Sequence, residues 1–273
     1  MSGDVGYTPA PVRRQIRYRN FRDDRTYYID GEMYPSVTAV LSILARPALV
    51  GWAARVEREA VIRATDELIR EYRANGRFPP TGEEWAAMVE RRLTHVHAAR
   101  RELLQAGAIG TAVHARIEWE MATRLGLDAG PEPRLTGPAA RAHAAWKEWE
   151  RSNALTPLAI ELVVHSRTHR YAGALDLLAE VNGTVAVVDF KTGGAVYREA
   201  LIQNAAYRWA VHELGLAPSV PGGLIVRLPK DQEEPVPEIV PVTGFDHLFR
   251  LFLALREAYD LLAAIDAVIG EGR

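Results

Sequence analysis

Apolar and polar positions alternate with a helical period over the first half of the chain and with a shorter, strand-like period later on. Residues 27–29 and 32–34 flank Asp30-Gly31, which predicts a small hairpin closed by an Asp-Gly turn. Ser36 is placed to cap a helix over 37–44. A helical pattern rich in Ala, Arg and Glu follows over 49–74, until Asn75-Gly76 and Phe78-Pro79-Pro80 interrupt it. Helices are expected again over 81–105, 108–125 and 136–151, with a loop at 128–133.

The character changes after Pro157. Three short apolar or β-branched runs, 159–165, 172–181 and 184–190, read as consecutive strands. A helix over 196–214, a strand over 223–228 and a closing helix over 245–269 complete the order. The expected fold is therefore α/β, a mixed central sheet flanked by helices, preceded by a largely helical N-terminal half. In domain terms, residues 1–106 form a hairpin and helical region packed on a core of residues 107–273.

Asn182-Gly183 carries the most geometric information, because this dipeptide favours a two-residue type I′ turn. If these two residues are the loop, Val181 pairs with Thr184, and the same register sets Asp176 directly opposite Asp189. Cross-strand partners share a face, and Lys191 joins them because strands repeat every two residues. Leu175, Leu177, Val188 and Phe190 point the other way. Like charges facing each other destabilise a sheet, unless a divalent cation such as Mg²⁺ sits between the carboxylates. Such a cation polarises a phosphate oxygen and acidifies a bound water, while a lysine orients that water or offsets developing charge. The set suits phosphodiester hydrolysis; the competing reading is a plain Asp189–Lys191 surface ion pair.

Composition narrows this picture in two ways. The 273 residues contain no cysteine, which excludes disulfides, thiolate zinc sites, cysteine-held iron–sulfur clusters and a cysteine nucleophile. The formal charge of −2 hides basic clusters, one of Arg13, Arg14, Arg17, Arg19, Arg22 and Arg25, another of Arg91, Arg92, Arg100 and Arg101 with His95 and His97. A nucleic-acid partner stays open. The N-terminal segment is basic without an apolar run, and 245–269 is interrupted by Arg250, Arg256, Glu257, Asp260 and Asp266. The expectation is no secretory signal, no membrane span and a cytoplasmic location.

At Gly173-Ala-Leu-Asp176 and Asp189-Phe-Lys-Thr-Gly193 the sequence resembles the catalytic core of the PD-(D/E)xK nuclease superfamily. Within it, the RecB-like and phage-type exonuclease branch is most similar. That branch adds a Gly-x-x-x-His motif upstream and a Gln-x-x-x-Tyr motif downstream, matched by Gly110–His114 and Gln203–Tyr207. Tyr34-Pro-Ser-Val-Thr38 resembles the entry segment of phage-type members. Leu175 stands where the superfamily name has proline, a departure common in this branch. The missing cysteines set the chain apart from iron–sulfur members, and with no phosphate-loop motif in these residues no fused helicase motor is expected.

The resemblance implies a restriction-endonuclease-like core and a Mg²⁺- or Mn²⁺-dependent deoxyribonuclease. It implies an exonuclease acting on DNA ends in recombination or repair, with linear or free-ended DNA as partner and a recombination or annealing protein as a second one. Asp176, Asp189 and the Phe190 carbonyl would hold the ion, with His114 as ligand or orienter. Lys191 would be catalytic, Gln203 would support Lys191 or phosphate, and Tyr207 would contact DNA. Two other functions fit the same motifs: a structure-specific endonuclease, and a DNA-binding recombination accessory protein with an inactive centre. Glu118, one turn beyond His114, and Glu161, on the strand before Asp176, read equally as site residues or surface acids. Ser36 and Thr38 read as helix caps or a terminal-phosphate site. His95-x-His97 and His212-Glu213 lack partners at zinc-binding spacing.

Overall fold

The computed structural model describes residues 19–21, 24–93, 97–217 and 220–271. Arg13, Arg14, Arg17, Arg22 and His95 lie outside the described residues. The chain divides into two compact units, Met1–Ile43 with Gly110–Arg273, and Leu44–Ile109. The N-terminal hairpin thus falls in the same unit as the residues from Gly110 onward.

In the larger unit, β1 (Arg19–Phe21), β2 (Asp24–Ile29) and β3 (Glu32–Pro35) form a small antiparallel sheet. Asp30 and Gly31 both take positive φ, 52° and 83°, as a two-residue hairpin turn requires. Ser36 caps α1 (Val37–Leu41), its Oγ accepting the Ala39 amide at 2.9 Å. Tyr27 and Tyr34 pack with Ala172 to join this sheet to the main one.

The main sheet orders β4 (Leu155–Ser166), β5 (Tyr171–Val181), β6 (Thr184–Lys191), β7 (Gly222–Arg227) and β8 (Glu238–Pro241) in sequence. All neighbours are antiparallel except β6 and β7. A parallel pair needs a crossover, and α6 (Arg198–Glu213) supplies it while packing against β4 through β7. Further cover comes from other helices. Trp146 of α5 (Gly137–Arg151) meets Phe190 edge-on with ring centroids 5.0 Å apart. Val113, Ile117 and Met121 of α4 (Ala98–Arg124) are fully buried, and α7 (Phe245–Glu271) packs on α1 and α6. The mixed sheet flanked by helices is the fold the hydrophobic pattern predicts.

The smaller unit consists of α2 (Pro47–Ala74), α3 (Glu83–Arg92) and the start of α4, whose course is divided between the units at Gly110. Val56 and Ala60 pack with Ala98 and Ala99, while Ala64 and Leu68 pack with Val89. Expected helices over 81–105 and 108–125 are corrected here. The first ends at Arg92, with Leu93 in extended backbone, and α4 then runs unbroken through Gly107 and Gly110. A helix tolerates an isolated glycine at a cost of about 1 kcal/mol, so Gly107 did not mark an end. Strand β8 was not expected either: it is short, follows a Pro- and Glu-rich stretch and ends in Pro241, as edge strands do. No helix among the described residues is long and apolar enough to cross a membrane.

Helices α4 and α5 are tied by Glu120, a residue no motif singled out. It accepts from His143 Nε2 at 2.8 Å, Trp146 Nε1 at 3.0 Å and Arg116 Nε at 3.1 Å. Burial alone would raise its pKa, but the His143 and Trp146 hydrogen bonds and the charges of His143 and Lys147 outweigh this and bring it to about 2. A carboxyl depressed below its unfolded value of 4.5 stabilises the fold fully above pH 4.5, and that contribution fades as pH falls toward 2. Glu120→Gln should therefore lower unfolding stability by about 3 kcal/mol near neutrality, and the gap to the parent should close between pH 4.5 and about 2. Denaturant titrations of both proteins across that range test this; a pH-independent gap would contradict it.

Candidate metal centre

The Asn182-Gly183 turn forms as its sequence predicts, with φ of 50° and 80°. Register follows from it: Val181 pairs with Thr184, and the ladder continues to Leu177 opposite Val188. There it stops, one residue short of the expected Asp176–Asp189 pair. The two aspartates sit where β5 and β6 part. In place of a backbone partner, the Phe190 amide donates to Asp176 Oδ2 at 2.8 Å. The Phe190 carbonyl lies 3.1 Å from His114 Nε2. A side chain from β5 and one from α4 thus serve both backbone groups of Phe190, which would be costly to bury unsatisfied.

His114 reaches this point because Gly110, one turn earlier on α4, lets the helix come close. A Cβ on Gly110 would lie 3.1 Å from Thr192 Oγ1. The imidazole also packs edge-on against the Phe190 ring at 6.0 Å, and its Nδ1 lies 3.6 Å from Asp176 Oδ1.

Glu161 enters from β4 at the register position facing Asp176. The β4–β5 ladder pairs Ile160 with Leu177 and Leu162 with Leu175 but omits the residues between them. Glu161 has φ of 46°, an unusual value for a glutamate within a strand. Backbone strain of this kind costs on the order of 1–3 kcal/mol and concentrates at functional sites. The result is a group of ligand atoms from His114, Glu161 and Asp176, all within 4.8 Å of one another. Sequence pattern left Glu161 undecided because the β4–β5 connection has no Asn-Gly signal from which to count register.

Asp189 is buried at the same place. Lys191 Nζ lies 2.8 Å from its Oδ1 and 2.6 Å from its Oδ2, but only the Oδ1 contact has hydrogen-bond geometry. Oδ2 is therefore a buried anionic oxygen without a hydrogen-bond donor among the described residues. Burial pushes the Asp189 carboxyl up to about 6, with Lys191 opposing the rise and Asp176 adding to it. For Lys191, burial works against the charge, but Asp189 and Asp176 outweigh it and raise its pKa. Two carboxylates, an imidazole and a main-chain carbonyl form an oxygen-rich donor set, and Asp189 Oδ2, ion-paired to Lys191 but accepting no hydrogen bond, adds a further oxygen. The residues fit a divalent ion.

From α6, Gln203 and Tyr207 form the outer support. Gln203 Oε1 accepts from Lys191 Nζ at 3.4 Å, and Gln203 Nε2 donates to the Tyr207 hydroxyl at 3.0 Å. Tyr207 is only 3 % exposed, so its ring has almost no surface to offer DNA. Its place depends on Gly173, where a Cβ would fall 2.6 Å from Tyr207 Cε1. The Gly-x-x-Asp stretch thus joins a close strand–helix approach to the metal-side carboxylate.

Other expected residues are engaged otherwise or are not in the ligand group. Glu118 is not in the ligand group. Ser36 and Thr38 are engaged with each other and with the α1 cap. Arg92 is committed to Glu71 and Glu67, and His97 lies beside Glu57. Glu213 binds Thr168 and Ser166 near the β4–β5 connection.

A mixed sheet with paired strand-end acids and a lysine two residues on defines a metal-dependent phosphodiesterase type of centre. The chain belongs to the PD-(D/E)XK nuclease superfamily, whose family model matches residues 84–267, more than half of its 273 residues. No curated protein matches the chain significantly. The family uses divalent metals and cleaves nucleic-acid phosphodiesters, and the motif residues from Gly110 to Tyr207 fall within the matched span.

Isothermal titration with Mn²⁺ should show binding that Asp176→Asn weakens at least about tenfold, with Glu161→Gln and His114→Ala also weakening it. Glu118→Gln should bind as the parent does. Equal losses in all four variants would contradict this ligand set.

Proposed function

We propose that the protein is a Mg²⁺- or Mn²⁺-dependent deoxyribonuclease of the RecB-like, phage-type exonuclease kind, acting on free DNA ends in recombination or repair. The observation that carries the reading is the Phe190 peptide unit held by Asp176 and His114, next in the chain to the buried Asp189–Lys191 pair. The exonuclease assignment rests on the Gly110–His114 and Gln203–Tyr207 motifs and their likeness to that branch.

In this reading Asp176, Asp189, the Phe190 carbonyl and His114 hold the ion, with Glu161 beside them. A divalent cation there supplies Lewis acidity toward a phosphate oxygen and toward water. Asp189 fixes the Lys191 ammonium, so that its charge is presented where the phosphate gains negative charge in the transition state. Gln203 keeps Lys191 from turning away, and Tyr207 holds Gln203 from inside the fold. Tyr207 is thus a positioning residue and makes no DNA contact.

Linear duplex should be degraded with Mg²⁺ or Mn²⁺ and left intact with EDTA, while covalently closed circles persist. Lys191→Ala should reduce kcat by about 100- to 1000-fold with KM little changed, since its charge acts mainly in the transition state. Tyr207→Phe should cost roughly tenfold. Failure of the intact protein to cleave any DNA with metal would overturn the enzyme reading; cleavage of closed circles would overturn the exonuclease assignment alone.

A further inference from the structure

Within the smaller unit, the connection between α2 and α3 carries a side chain that the centre does not explain. Phe78 is 95 % exposed, more than any other exposed large apolar residue among those described. Leaving a phenylalanine in water forgoes the roughly 1.5–3 kcal/mol that burial of such a side chain returns. The backbone on either side holds it there. Helix α2 closes with the Arg77 amide donating to the Tyr72 carbonyl at 2.9 Å and the Gly76 amide donating to the Arg73 carbonyl at 3.0 Å. Gly76 takes φ of 64°, the left-handed residue that such a helix end requires. Pro79 follows Phe78 directly and confines it to extended backbone. The ring is therefore presented from a short, stiffened turn.

Its surroundings are cationic. Arg70 and Arg73 share a face of the last turns of α2, Arg77 follows in the turn just before Phe78, and all three are exposed. None has an acidic partner among the described residues, in contrast to Arg92, which Glu67 and Glu71 neutralise. A free aromatic ring beside unneutralised guanidinium groups is the combination that binds single-stranded nucleic acid, stacking on a base while the arginines follow the phosphates. A duplex offers no free base face. A protein partner would use the ring but has less need for a row of unpaired arginines.

We propose that Phe78, with Arg73 and Arg77, is a binding site for single-stranded DNA, with Phe78 stacking on an unpaired base. The inference rests on the reading of the protein as a deoxyribonuclease, and gives that enzyme a hold on frayed or single-stranded ends.

The test is fluorescence anisotropy of the full chain in EDTA, with a labelled oligothymidylate and with a blunt duplex as probes. Metal-free conditions separate binding from cleavage. Phe78→Ala should weaken oligothymidylate binding about 5- to 30-fold, Phe78→Trp should restore it, and duplex affinity should stay within about twofold. Arg73→Ala and Arg77→Ala should each lower the slope of affinity against salt by about one ion. Unchanged oligothymidylate binding in Phe78→Ala overturns the site, as does an equal loss for duplex. Sedimentation showing that Phe78→Ala dissociates an oligomer would assign the ring to a second copy of this chain and also overturn it. Each of these results leaves the metal-dependent cleavage assay unaffected, whereas a parent protein that neither cleaves nor binds DNA removes the nuclease reading as well.

Discussion

A single hydrogen bond organises the candidate centre: the Phe190 amide to Asp176 Oδ2. Strands β5 and β6 pair regularly from their turn up to Leu177 and Val188, then separate. Were they to remain paired, β5 would occupy the Phe190 backbone groups and the two aspartates would face each other with nothing between them. By taking the amide with a carboxylate, β5 lets the strands part without leaving a buried N–H unsatisfied. The same separation leaves the Phe190 carbonyl to His114 rather than to a strand. A main-chain oxygen, two carboxylates and an imidazole then come together from three elements.

Holding Asp189 ionised in the interior is expensive, and the surrounding structure is arranged to make it tolerable. Lys191 stands against it, supported by Gln203, which is in turn fixed by a tyrosine fitted over a glycine. On the other side of Phe190, Trp146 packs against the ring and also donates to Glu120, so one side chain links the core to the α4–α5 bond network. His114 is carried on α4, four residues past the glycine that allows the close approach. Loss of one partner in a buried charged set typically costs about 3–5 kcal/mol, which makes these supports as consequential as the candidate ligands.

Much of this was legible in the residues themselves. The Asn182-Gly183 turn fixed the β5–β6 register, and period-two alternation put the charged side chains near one another. Helical spacing put Gly110 with His114 and Gln203 with Tyr207. What escaped was set by tertiary contact. Alternation assumes an unbroken ladder, so it could not anticipate that pairing ends before Asp176. Glu161 depends on a left-handed backbone inside β4, which no propensity predicts for glutamate. Tyr207 was expected to contact DNA, and its burial depends on the close approach at Gly173, which helical spacing does not reveal. Glu120 looks like any helical acid, and only the packing of α5 on α4 gives it partners.

Anomalous diffraction from crystals grown with Mn²⁺ tests the central arrangement most directly. A manganese peak should appear bonded to carboxylate oxygens of Asp176 and Asp189 and to the Phe190 carbonyl, with the Phe190 amide still held by Asp176. An ordered manganese ion that binds elsewhere and leaves Phe190 and Asp189 untouched would contradict it.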